Sequence, residues 1–119
     1  MSIVTEALDA CGIAWKEDGY DPLKPPSDGP YAVVFDDTET IGADGCVMAT
    51  VHSVTIELYD DGFAKGREVR DSLQSELAKR NLKHRRYAAK PLYNEKKHLT
   101  VFDLEDYYEK TYYEETESD

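Results

Sequence analysis

Only two cysteines, Cys11 and Cys46, and three histidines, His52, His84 and His98, occur in the 119 residues. The chain therefore has little with which to staple itself, ligate a metal or run redox chemistry. The cysteines do not form a Cys-x-x-Cys pair, and two free, buried thiols are expected rather than a disulfide. The histidines fall on three different expected strands, none with a second His or Cys three or four positions away to give a metal two ligands from one helix face. Each is expected to be an ordinary strand or surface histidine. The seven glycines never approach phosphate-loop spacing, and no serine has the context of a nucleophile elbow. No apolar run approaches the roughly 20 residues of a membrane span, and Met1-Ser2-Ile3-Val4-Thr5-Glu6 lacks the basic start and apolar stretch of a secretory signal. The expectation is a protein made in the cytoplasm, without membrane contact, cofactor, metal or catalytic residue.

Positive charge is also scarce. Fourteen Lys and Arg face 25 Asp and Glu, for a net charge of −11. Such a balance opposes general affinity for nucleic acid or anionic membranes, because both need a cationic surface that releases counterions. The charge is unevenly spread: residues 1–61 carry −11, residues 62–104 carry +6 and residues 105–119 carry −6. Two readings of this division stand side by side. Solvated faces can simply differ, or a basic surface of one copy can meet an acidic surface of the next in head-to-tail association.

What the chain has in quantity is acid clusters, tyrosines and periodic apolar residues. Asp36-Asp37-Thr38-Glu39 and Asp60-Asp61-Gly62 lack the spaced oxygen ligands and closing Glu of a calcium loop, so turn chemistry is their expected role. The pairs Tyr107-Tyr108 and Tyr112-Tyr113 sit among acids that would repel phosphates, which marks them for packing or protein contact. Hydrophobic residues make up 40% of the chain, enough for one modest core.

Ile3, Val4, Ala7, Leu8 and Cys11 recur at helical spacing, and Gly12 follows where a left-handed residue would end the helix, which predicts a helix over residues 2–11. Ile13-Ala14-Trp15-Lys16 can form a short strand, and residues 18–30, with four prolines, form a long loop. Tyr31-Ala32-Val33-Val34-Phe35 suits a strand buried on both faces. Between residues 46 and 59 the apolar positions switch from odd (Val47, Ala49, Val51) to even (Val54, Ile56, Leu58), which predicts a bulge near His52-Ser53. A helix over residues 63–80 buries Val69, Leu73 and Leu77, with Arg67/Asp71 and Glu76/Arg80 as exposed i,i+4 pairs. Strands over residues 82–92 and 97–108 then pair as a hairpin. The order is α-β-β-β-α-β-β, an α+β fold with two helices and a mainly antiparallel sheet. It forms a single domain over residues 1–108, followed by an acidic tail, residues 109–119, whose end from residue 114 has no apolar anchor and should fray.

With these elements in order, the chain resembles the tail terminator, or tail completion, proteins of long-tailed bacteriophages and prophages. The resemblance is carried by the first helix with its Ile13-Ala14-Trp15 strand, the Pro-rich loop into Tyr31, and above all Val54-Thr55-Ile56-Glu57-Leu58-Tyr59-Asp60-Asp61 running into an amphipathic helix. It extends to the two-strand return from Arg86-Tyr87 to Leu104-Glu105. It implies a non-enzymatic virion subunit of the neck, assembled in the host cytoplasm into a ring, commonly a hexamer, on the head-proximal end of the tail tube. Its partners would be further copies of itself, the tail tube protein and a head-tail connector or head-closure protein, with DNA passing through the lumen without specific binding. Arg67, Arg70, Arg85 and Arg86 of the basic segment are the candidate subunit contacts. Alternatives are another neck component, such as a head-closure or head-tail joining protein, an acidic DNA mimic, which the basic middle of the chain argues against, and a small enzyme, which would need a cleft gathering perturbed ionisable groups.

Overall fold

The computed structural model describes residues 2–19, 29–43 and 45–110. The fold is α+β: two helices and a mixed, mostly antiparallel sheet of seven strands. The elements in chain order are α1 (Ile3–Ala10), β1 (Ala14–Glu17), β2 (Tyr31–Ala43), β3 (Cys46–Asp60), α2 (Phe63–Lys79), β4 (His84–Arg86), β5 (Lys90–Leu92), β6 (Lys97–Leu104) and β7 (Tyr107–Lys110). The sheet runs β1-β2-β3-β6-β4, with β5 also on β6 and β7 also on β3; β1 and β2 are parallel and every other pair is antiparallel.

Helix α1 opens with a reciprocal cap, in which the Ser2 hydroxyl accepts from the Thr5 N–H and the Thr5 hydroxyl accepts from the Ser2 N–H. It closes before Gly12, whose φ of +70° is the left-handed turn expected of that glycine. Its buried Val4, Ala7 and Leu8 join Leu73 and Leu77 of α2 over one face of the sheet, where Ala32, Val34, Val54, Ile56, Leu58, Phe102 and Leu104 complete the core. Val69 packs at the margin of that core.

Several expectations need correction. Asp36-Asp37-Thr38-Glu39 lie within β2 and not in a turn, and Phe35 is exposed, against the expectation of a strand buried on both faces. The odd-to-even switch in β3 is not a bulge at His52-Ser53: pairing with β2 is continuous from Tyr31↔Tyr59 to Ile41↔Ala49, and the register shifts only between Ile41 and Gly42, near the hairpin tip. Ala49 and Val51 thus stay on the face opposite Val54, and the switch marks where β3 leaves the helix-covered body. The two late strands each divide. β4 and β5 both lie on β6, the second tolerating Pro91 because it is an edge strand. After β6 the chain crosses at Glu105 and Asp106 to pair β7 with the upper half of β3, so strand structure continues past residue 108 to Lys110. Cys46 is exposed and Cys11 half-buried; both are free. The Pro-rich stretch from residue 20 to 28 and the tail from residue 111 lie outside the described residues.

The outcome is an elongated body, 57 × 32 × 21 Å. β2 and β3, of 13 and 15 residues, run beyond the helices as an arm that β7 joins as a third strand.

Candidate assembly surfaces

The arm is stitched to the C-terminal strand by one histidine. On the helix-side face of β3, His52 Nδ1 lies 2.7 Å from Asp36 Oδ2 on β2, and its Nε2 lies 2.9 Å from Glu109 Oε1 on β7. The ring stacks on Tyr107 at 4.8 Å. With a carboxylate at each nitrogen, both must donate, which requires the imidazolium. Burial works against the charged ring, but the hydrogen bonds to Asp36 and Glu109 and the charges of both carboxylates outweigh it and lift the His52 pKa above its ordinary value. Burial and the same two carboxylates push Tyr107 up to about 12. Because the folded-state pKa is raised, the cluster contributes its full stability below the unfolded value of about 6.5 and loses it as pH climbs through the higher folded value. Thermal unfolding of His52→Gln should therefore fall below wild type at pH 5–6, and the gap should narrow as the pH rises above the unfolded value and through the higher folded one. A gap independent of pH would sink this assignment. Among the described residues no three His, Cys, Asp or Glu side chains are grouped so as to hold a metal ion.

The face of the sheet opposite the helices is uncovered by any described helix. Alternation along the strands puts Phe35, Asp37, Glu39 and Ile41 of β2 there, beside Thr55, Ser53, Val51 and Ala49 of β3 and Tyr108 of β7. Phe35, Ile41 and Tyr108 are exposed. Further along the same face Tyr31 and Tyr59 stack at 4.9 Å, and Tyr87, Ala88, Lys90, Leu99 and Val101 line a cavity of about 230 Å³. At the body's end away from the arm, Lys97 ties Asp61 and the Gly29 carbonyl together. Phe63 opens α2 there at a φ of +61° and 89% exposed, a backbone conformation that costs a non-glycine residue about 1–2 kcal/mol.

The four expected contact arginines separate. Arg70 points inward: its Nε and Nη2 grip both oxygens of buried Asp60 at 2.8 Å each, so it holds α2 to β3 and offers nothing to a partner. Arg86 is on the helix-side face, bonded to Asp71 and Gln74 of α2. That contact takes Asp71 from its expected partner Arg67, whereas Glu76–Arg80 forms as expected. Arg67 makes no hydrogen bond or ion pair with a described residue and is exposed. Arg85 is exposed on the uncovered face, its guanidinium 4.6 Å from the centre of the Tyr87 ring.

The outer margins of the sheet carry residues that composition did not single out. β1 covers β2 only from Tyr31 to Val34. Beyond that point the outer edge of β2 is open among the described residues, and it carries Asp36, Asp37 and Glu39 without a base. On the opposite margin β4 pairs, among the described residues, only with β6 and carries Lys83, Arg85 and Arg86 in or beside it. The signal in the sequence was charge at period two, Asp37-x-Glu39 and Lys83-x-Arg85, which places each pair on one face of its strand. Compared with protein-family models, with curated proteins and with solved structures, the chain matches none.

Proposed function

We propose that the protein is a structural subunit of a bacteriophage tail that caps the tail tube as a ring, ends tube polymerisation and presents the surface to which the head attaches. The observation that carries this reading is a sheet with helices on one face only, whose two margins, open among the described residues, have opposite charge: acidic along β2 of the long arm, basic along β4 of the body. A monomer has no use for 13- and 15-residue strands that outrun its core, while a subunit of a ring needs two unlike surfaces, one for each neighbour. The resemblance at the Val54–Asp61 strand and α2 junction adds the place of that ring in the neck of the virion. The mechanism is geometric. One ring face complements the last layer of the tube, the other offers no contact of the tube's kind, and the net charge of −11 lets DNA slide through without adhering.

The strained, exposed Phe63 suits this reading, because a backbone cost retained at a surface aromatic is typical of a contact residue. Tail tube protein from the same phage, allowed to polymerise with and without this protein, tests the function. Shorter tubes with one end occupied are expected, and an unchanged length distribution would overturn the reading.

A further inference from the structure

The geometry points to a specific subunit contact: we propose that the open edge of β2 on one copy pairs, antiparallel, with the open edge of β4 on the next, so that Asp37 faces Arg85 and Glu39 faces Lys83. This deepens the ring reading above and rests on it for closure, but the contact itself is argued from backbone direction and charge.

Backbone direction comes first. The Val34 carbonyl accepts from the Asp18 N–H, outside the β2–β3 ladder. Alternation along an antiparallel strand then turns the N–H and C=O of Asp36, Thr38 and Thr40 outward too. On the other margin Lys83 and Tyr87 bond inward to Glu105 and Val101 of the β6 side, so His84 and Arg86 turn their backbone groups outward. The two sets match. Asp36 opposite Arg86 and Thr38 opposite His84 become hydrogen-bonded pairs. Asp37 opposite Arg85 and Glu39 opposite Lys83 become the intervening pairs, the class in which side chains come closest.

Strand sense agrees. Within one copy β2 and β4 are antiparallel, being three antiparallel steps apart, so a neighbour placed alongside in the same orientation presents the required direction. The facing agrees as well. Asp37, Glu39 and Arg85 all belong to the uncovered face, and none of Asp37, Glu39, Lys83 and Arg85 has an ion-pair partner among the described residues. Arg85 is level with Phe35 inside one copy, so meeting Asp37 of the neighbour slides each copy by two residues, about 7 Å along the strand. Such a stagger tilts the strands as a closed sheet requires. Pairing of two β2 edges, or of two β4 edges, would set like charges opposite each other, so the second copy must dock by its unlike edge. Each contact is short, and closure makes it durable because the last copy engages two neighbours at once.

The test is mass in solution, by sedimentation or native mass spectrometry, on full-length protein. Asp37→Lys with Glu39→Lys gives one variant, and Lys83→Glu with Arg85→Glu gives a second. All four positions are exposed, so both variants should fold as wild type by circular dichroism. Wild type should associate, and 1 M salt should weaken it. Each variant alone should be monomeric at concentrations at least tenfold above those at which wild type assembles. An equimolar mixture of the two, or all four changes in one chain, should restore association. Assembly that survives in either variant, or a mixture that stays monomeric, overturns the edge pairing. So does a wild type that stays monomeric at millimolar concentration. The tube-length assay is read separately: shortened tubes with unaltered variants would reject the contact and keep the cap, while paired edges with tubes of full length would do the reverse.

Discussion

Asp60→Ala is expected to destabilise the protein by about 3–5 kcal/mol, the usual cost of stranding one member of a buried ion pair. Asp60 is 1% exposed. Its Oδ1 accepts from the Gly62 N–H at 2.7 Å and from Arg70 Nη2, and its Oδ2 from Arg70 Nε. One carboxylate thus ends β3, shapes the turn and fixes the first turns of α2. That helix has no side-chain cap at Gly62, so Asp60 is the polar group that orders its approach. Arg70→Ala should cost nearly as much, and the double replacement less than the sum, with a coupling of about 1–3 kcal/mol. Urea unfolding of the four proteins checks this through the midpoint at constant slope. Additive single effects would show that the two residues do not act on each other.

Gly66→Ala should also unfold the protein more easily, by about 1–3 kcal/mol, although alanine is the better helix former. A Cβ at position 66 would meet the Asp60 carboxylate at Oδ1 and would lie 3.1 Å from Arg70 Nη2. The glycine is thus the gap through which Asp60 reaches the helix. Its φ is not in the left-handed region, so nothing but contact keeps alanine out. In a protein that already carries Asp60→Ala and Arg70→Ala the obstruction is gone, and the same substitution should stabilise by up to about 1 kcal/mol through helix propensity. A reversal of sign between the two backgrounds is the expected signature. Equal effects in both would place the cost elsewhere.

Both helices were legible because their apolar residues recur at helical spacing and Gly12 punctuates the first. The lower half of β3 was legible for the same kind of reason: Val54, Ile56 and Leu58 mark the buried face at period two. Carried two residues further each way, that parity also names Asp60 and His52, the two polar residues that the inward face has to satisfy. Reading Asp60-Asp61-Gly62 as a turn hid the first, since only the parity of β3 tells which aspartate faces inward. The division of the late strands left no comparable mark. Whether residues 105–106 continue a strand or step to a new partner depends on β3 having an open edge above His52, a fact about pairing between distant segments. The arginines show the same limit. Charge counting collected Arg67, Arg70, Arg85 and Arg86 as one basic surface, whereas strand parity and helix phase send two of them onto acids of their own chain.

The position of β7 has a consequence for how the protein survives its own synthesis. His52 and Glu109, 57 positions apart in the chain, close the arm only when the later segment has left the ribosome. Until then β3 has an unprotected margin from Ala49 to His52, with Val51 and no Lys or Arg to discourage a stranger. A chain cut between Leu104 and Tyr107 would retain every core residue yet keep that margin open for good. Such a fragment should fold and then aggregate, since an open strand edge is a template for pairing. Protease damage in this short connection would turn a folded chain into a seed for disordered association.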